Sequence, residues 1–392
     1  MKKLLYVTGS RAEYGIMKRL LHTISADHDI ELSIVATGMH CDKNYGLTYK
    51  IIENDGFIID RLIDIKLSTE NNSNIINSMS ICLNEFGNYL EENKFDAILL
   101  LGDRYEIYSV AIAAAFHNIP IIHLHGGEQT LGNYDEFIRH SITKMAKLHL
   151  ASTETYRQRI IQMGEAPDTV FNIGSLGAEN SLLLDLSTKK ELESIYGSLK
   201  KPYFVVVFHP ETLSLEHIDF QIQQLLSAIV KLSNKYDFIF IGSNSDTGSN
   251  NIREKMKNFS TINGYRYLES VKTEDYLSLN KYSCGLIGNS SSGLIEVPSL
   301  GIPTINIGDR QKGRVRGNSV VDCSCNEYDI INSIINSQSI EFKEKLKKSK
   351  NPYYKGNAMI DGFNIIKNYL KNNNNNPKEF FDISIVSNPS SL

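Results

Sequence analysis

Several functions are excluded by what this sequence of 392 residues lacks. Neither G-x-G-x-x-G nor G-x-x-x-x-G-K-[ST] occurs, which disfavours a dinucleotide redox enzyme and a P-loop nucleotide hydrolase. No stretch approaches the ~18 consecutive apolar residues of a membrane-spanning helix. The opening MKKLLYVTGSRAEYG breaks at Gly9, too early for the apolar segment of a signal peptide. A cytoplasmic protein with no membrane partner is expected. Lys and Arg number 41 against 45 Asp and Glu, for a net charge of −4, and the basic residues form no block, which argues against nucleic acid. Cysteine is sparse: Cys41, Cys82, Cys284, Cys323 and Cys325 are odd in number, irregularly spaced and free of C-x-x-C, so neither a disulfide framework nor a zinc cluster is expected.

What is present is an alternation. LLYVTG, LSIVATG, AILLLGD, IPIIHLHG and LHLAST read as buried strands, each followed by a stretch with helical spacing. Continuous apolar strands alternating with helices give a parallel sheet covered on both faces. The polar run LSTKKELESIYGSLKKP reads as a linker, after which YFVVVFHP, DFIFIGSN, CGLIGNS and PTINIG restart the pattern. The expected fold is α/β, two Rossmann-like doubly wound domains over 1–175 and 190–355 with a cleft between their strand ends, in keeping with a length beyond one core. A helix over 356–372 should pack back on the domains, and the Asn- and Ser-rich end, 373–392, should form a flexible tail.

The candidate site residues gather where strands end, the edge at which open α/β sheets bind ligands. Gly9 and Arg11 follow the first strand, where outward N–H groups at a helix start suit an anion. Asp103 and Arg104 follow AILLL. His123 and His125 end the next strand ahead of Glu128, and Asp135, Glu136 and Arg139 lie in the first turns of a following helix. Carboxylates at a helix start are common for dipole reasons alone. Clustered with Asp103 and Glu128, they fit acid–base work, because like charges in one cleft push pKa values apart. An H-x-H pair alone is a weak metal signature, and the further ligands it needs are missing nearby, so no metal is expected. His209 ends the second domain's first strand, placed to meet a phosphate or to move a proton. In GLIGNSSSGLIEVPSLGIPTINIGDRQKGR a strand runs into Ser290, Ser291 and Gly293 at a helix start, where a diphosphate could sit. Glu296 is one turn further, in reach of ribose hydroxyls, and Arg310 can add positive charge.

With GSRAEYG, GDRYE, HGGE, IRHSITK, VVVFHPET and GNSSSGLIEVPSLGIPTINIGDRQKGR in this order, residues 1–370 resemble the hydrolysing UDP-N-acetylglucosamine 2-epimerases of bacterial sialic acid synthesis, the NeuC type. The resemblance implies a two-domain fold like that of GT-B glycosyltransferases, with UDP held mainly by the second domain. It implies conversion of UDP-GlcNAc and water to N-acetylmannosamine and UDP without a cofactor, and a homo-oligomer, dimer or tetramer. The family's UDP-contacting positions match Arg11, His209, Ser290, Ser291, Glu296 and Arg310, and its acidic positions match Asp103, Glu128 and Asp135. His125 departs from the pattern, standing where many relatives carry Glu. The base at the sugar's C2 is therefore open among His125, Glu128 and Asp135. Three other readings stand beside this one: the same reaction on UDP-2,4-diacetamido-2,4,6-trideoxyglucose, a GT-B glycosyltransferase, and a nucleotide-sugar binding protein without turnover.

Overall fold

The structure, a computed structural model, describes residues 1–372 and 377–383. Strands β1 (Lys2–Thr8), β2 (Ile30–Thr37), β3 (Arg61–Ile63), β4 (Ala97–Leu101), β5 (Ile121–Leu124), β6 (Leu148–Ala151) and β7 (Val170–Asn172) form a seven-stranded sheet in the order β3-β2-β1-β4-β5-β6-β7. Strands β8 (Tyr203–Val207), β9 (Asp237–Ile241), β10 (Arg266–Leu268), β11 (Leu286–Gly288), β12 (Thr304–Ile307) and β13 (Val320–Cys323) form a six-stranded sheet in the order β10-β9-β8-β11-β12-β13. Neighbouring strands are parallel throughout. The fold is thus α/β with two doubly wound units, GT-B-like, and each strand order reverses once, between β1 and β4 and between β8 and β11.

Alternate residues of each central strand feed separate cores. Leu4 and Tyr6 pack with Met17, Leu20 and Ile24 of the helix Arg11–Ser25, while Leu5 and Val7 pack with Phe86 and Val110 on the other face. That two-sided burial is why these strands read as unbroken apolar runs. In the second unit Phe204 and Val206 face one core and Val205 and Val207 the other. The last long helix, Ala358–Asn372, returns to the first unit, where Ile366 and Leu370 join the core beside Leu4.

Two segments differ from their sequence reading. The polar run expected as a linker contains the helix Lys189–Tyr196, opened by a capping box between Thr188 and Glu191. Leu192 and Leu199 plug it into the second unit's core, because the few apolar residues of that run fall on one face. Of the expected tail 373–392, residues 377–383 lie along the first unit: Lys378 Nζ donates to the carbonyls of Lys144 and Ala146 at 2.8 and 2.7 Å, and Phe381 N donates to Gly164 O. The remainder of that stretch, 373–376 and 384–392, lies outside the described residues. Among the described residues no helix is long and apolar enough to cross a membrane.

The two units meet through backbone and side-chain bonds across the cleft. Leu131 N donates to Lys312 O, Leu213 N to Gly132 O, Gly248 N to Thr69 O, and Thr212 N to Asn133 Oδ1. Arg104 Nη2 reaches Ser245 Oγ at 2.6 Å.

Candidate active site

The loops at the two strand-order reversals face each other and enclose a cavity of about 140 Å³. Its wall includes Ser10, Asp103, His125, Glu128 and Asp135 from the first unit and Asp246, Ser291, Glu296, Arg310 and Arg314 from the second.

On the acidic side, Arg139 is the organiser. This fully buried guanidinium donates through Nε to Asp103 Oδ2 at 2.8 Å, with a second, shorter contact from Nη2. It also donates to Glu128 O and Thr130 Oγ1, both at 2.9 Å. Asp135 opens the helix Asp135–Met145. Burial, then the charges of Asp103 and Asp246, push its pKa up to about 7 against the pull of Arg310 and Arg139. Asp135 is therefore a wall carboxyl poised to hold a proton near neutrality, as are Glu13 and Glu296 in the same cavity. Glu136, its neighbour, is a tie instead. It accepts from Thr130 N at 2.5 Å and from Arg139 Nη1 at 3.2 Å, and although burial works against it, the His140, Thr130 and Arg139 contacts bring its pKa down to about 2.

His125 holds a left-handed backbone, φ 63°, although it is not glycine. Such a conformation costs on the order of 1–3 kcal/mol and persists where the surroundings enforce it. Here His125 N is bonded to Leu150 O at 3.0 Å, and the turn aims the ring at Glu128, with Nδ1 3.0 Å from Oε1. Glu128 is almost fully buried. Burial alone would raise its pKa, but the Arg314 guanidinium, 2.8 Å from Oε2, and the His125 contact hold it well below the usual carboxylate range. Ser152 Oγ donates to Oε1 at 2.7 Å. An ionised Glu128 at Nδ1 favours the tautomer with the His125 proton there, which leaves Nε2 as an acceptor, 3.5 Å from Ser175 Oγ. His123, two residues earlier, faces elsewhere. Nε2 is 2.8 Å from Gly102 O and Nδ1 3.2 Å from Thr143 Oγ1, and burial presses its pKa down to about 3. It is a structural, neutral histidine; among the described residues no group of three or more His, Cys, Asp or Glu is disposed to hold a metal.

The second unit supplies donors. Asn289, after β11, bridges to His209 after β8: its Oδ1 accepts from His209 N at 2.7 Å and its Nδ2 donates to His209 O at 2.9 Å. His209 Nδ1 accepts from Asn244 N at 3.3 Å, so the ring proton sits on Nε2 as a donor. Burial, then the charges of Arg310 and Arg104, keep this ring neutral. Arg310 is anchored by Asn289 O at 3.2 Å and Asp246 Oδ2 at 3.3 Å. Ser291 opens a one-turn helix, Ser292–Ile295, and Glu296 follows it at the joint with the next 3₁₀ turn, not inside a continuing helix as its spacing suggests. Burial raises Glu296 to about 7, with the charge of Arg11 opposing. Burial likewise lowers Arg11, with Tyr276 and Glu296 opposing.

Gly293, expected at the ligand, serves packing: an added Cβ would lie 2.6 Å from Thr304 Cγ2, so glycine is needed where the turn crosses β12, and its own N–H is bonded to Ser290 O. Three participants went unselected in the sequence. Arg314 and Asp246 stand in polar loop runs with no period to single them out. Glu13 is buried with Glu106 beneath the first loop, accepting from Gly9 N and Ser10 Oγ, and burial and the Glu106 charge raise its pKa to about 8.

A family model described as UDP-N-acetylglucosamine 2-epimerase matches residues 22–367. The polysialic acid biosynthesis protein P7 of Escherichia coli is 60% identical over 383 residues, 98% of either chain. The GDP/UDP-N,N'-diacetylbacillosamine 2-epimerase (hydrolyzing) of Campylobacter jejuni is 39% identical over 88% of this chain and 89% of that protein. In fold, the chain is similar to the crystal structure of the UDP-GlcNAc 2-epimerase from Neisseria meningitidis bound to UDP-GlcNAc, with a TM-score of 0.78 at 19% identity over 94% of this chain and 100% of that one. This chain belongs to the UDP-N-acetylglucosamine 2-epimerase family.

Proposed function

We propose that the chain is a hydrolysing 2-epimerase, converting UDP-GlcNAc and water to N-acetylmannosamine and UDP in the cytoplasm for sialic acid synthesis. The carrying observation is the two-sided cavity. On one wall stand a carboxyl that holds a proton near neutrality, Asp135, and a carboxylate-oriented imidazole, His125. Arg310 stands on the facing wall, and His209, which is not part of the lining, follows β8 with its Nε2–H as a donor. The near-complete match to a polysialic acid biosynthesis protein supports the sugar assignment.

The chemistry divides between these walls. His125 Nε2 takes the C2 proton while the C1–oxygen bond breaks and UDP departs, giving 2-acetamidoglucal. Arg310, Arg11, the His209 Nε2–H and the Ser290–Ser291 turn receive the charge on the leaving diphosphate. Glu296 accepts the ribose hydroxyls. Water then adds at C1, losing its proton toward Asp103, and Asp135 delivers a proton to C2 from the opposite face. Glu128 does not titrate in this scheme; it orients His125.

The diacetamido sugar is the second reading, favoured by the 39% identical relative. Rates on both nucleotide sugars, with UDP release and the free sugar followed by chromatography and no acceptor added, decide between them. The proposal expects kcat/KM for UDP-GlcNAc to be at least about tenfold the higher. The opposite order would assign the diacetamido substrate. Absence of UDP release from either would favour a transferase or a binding protein.

A further inference from the structure

Arg314 has a role that neither the diphosphate nor the ribose explains. Its side chain is more than nine-tenths buried on the cavity wall, and among the described residues its Nε and Nη1 have no hydrogen-bond acceptor. A buried donor without an acceptor costs roughly 1–3 kcal/mol, more when charged, so such a pair is kept where a ligand completes it. The backbone holding it is fixed. Val315 N donates to Tyr156 OH at 2.8 Å, Tyr156 OH lies 2.9 Å from Tyr353 OH, and Tyr353 OH donates to Val315 O at 2.8 Å. This closed ring locks residue 315 of the second unit against Tyr156 of the first. Arg314 is therefore pre-positioned.

Its surroundings identify the acceptor. The positive charge of Arg314 is matched by Glu128, so its free donors face a neutral oxygen more favourably than a second anion. The diphosphate end belongs to Arg310, anchored on Asn289 O beside the Ser290–Ser291 turn. Arg314 touches the carboxylate that orients His125, which places it at the reacting C2. The neutral acceptor carried by C2 is the acetamido carbonyl. We infer that Arg314 is a substrate-specificity residue of the reaction, its Nε and Nη1 donating to the carbonyl oxygen of the 2-acetamido group. This rests on the hydrolysing-epimerase reading.

The test uses R314K, which keeps a cation for Glu128 but loses the fork of donors, and R314A. Initial rates give KM for UDP-GlcNAc; inhibition constants are measured for UDP, which has no sugar, and for UDP-glucose, which has a hydroxyl at C2. For R314K the expected result is KM raised about 10- to 100-fold, with both inhibition constants within about threefold of wild type. In R314A, added guanidinium should restore part of the lost rate. Inhibition by UDP weakened in step with KM would make Arg314 a phosphate ligand, and an unchanged KM would make it structural; either overturns the inference alone, provided the wild type turns UDP-GlcNAc over. A wild type that leaves UDP-GlcNAc intact fails the epimerase reading and the inference together.

Discussion

His125 and Asp135 divide the proton traffic in this account, and the division predicts separable half-reactions. His125→Gln should cut UDP release by at least about 10²-fold while still hydrating supplied 2-acetamidoglucal. Asp135→Asn should do the reverse, releasing UDP and letting the glycal accumulate, as proton NMR of the mixture would show. Equal loss of both steps in both variants would contradict the assignment. The pH dependence follows from sign. Asp135, raised to about 7 by burial and by Asp103 and Asp246, donates only while protonated, so the hydration rate should fall as pH rises through about 7. Asp246→Asn removes one of the opposing charges and leaves Arg310 and Arg139 facing Asp135. The falling limb should therefore move to lower pH. At this scale the sequence singled out Asp103, His125 and Glu128 after strand ends and Asp135 in the first turn of a helix, and all four line one cavity. It could not separate their roles. Those depend on Arg314 at Glu128 and on the left-handed turn at His125, neither of which has a local signature.

The helix Asp135–Met145 is the element that carries this arrangement, with Asp135 at its start and Arg139 one turn in. Its other end is held by the tail. Lys378 Nζ sits on the carbonyls of Thr143, Lys144 and Ala146 and lies 2.6 Å from the buried Glu165. A cation there complements the carboxyl end of the helix. Lys378→Ala should destabilise the fold by about 1–3 kcal/mol, measured by urea unfolding, with Lys378→Arg milder. A midpoint unchanged by Lys378→Ala would mean the contact contributes nothing. Strands with four or more apolar residues, such as β1, β4 and β8, were legible because both faces are buried. The short strands β3, β7, β10 and β13 were not, since three or four residues at a sheet edge carry no period of their own. The helix Lys189–Tyr196 was hidden by charge outnumbering its single apolar face.

At the scale of the whole molecule, two reversals of strand order face each other, and the site exists only when they do. The cleft volume, about 140 Å³, is below the roughly 300–1,000 Å³ of an ordinary ligand pocket, and we expect substrate to enter a more open arrangement that closes around it. UDP should therefore lower the radius of gyration in small-angle scattering; identical profiles with and without it would argue against closure. The alternating pattern made the two units legible in the sequence. Their mutual orientation was not, because the contacts that set it are single backbone bonds in polar loops, such as Leu131 to Lys312. The most direct test of the central claim is NMR of UDP-GlcNAc incubated with the protein in D2O. Elimination followed by hydration, with separate groups taking and giving the C2 proton, predicts UDP and free N-acetylmannosamine carrying deuterium at C2. Free N-acetylglucosamine with its C2 proton intact, or a product in which UDP remains attached to the sugar, would contradict it.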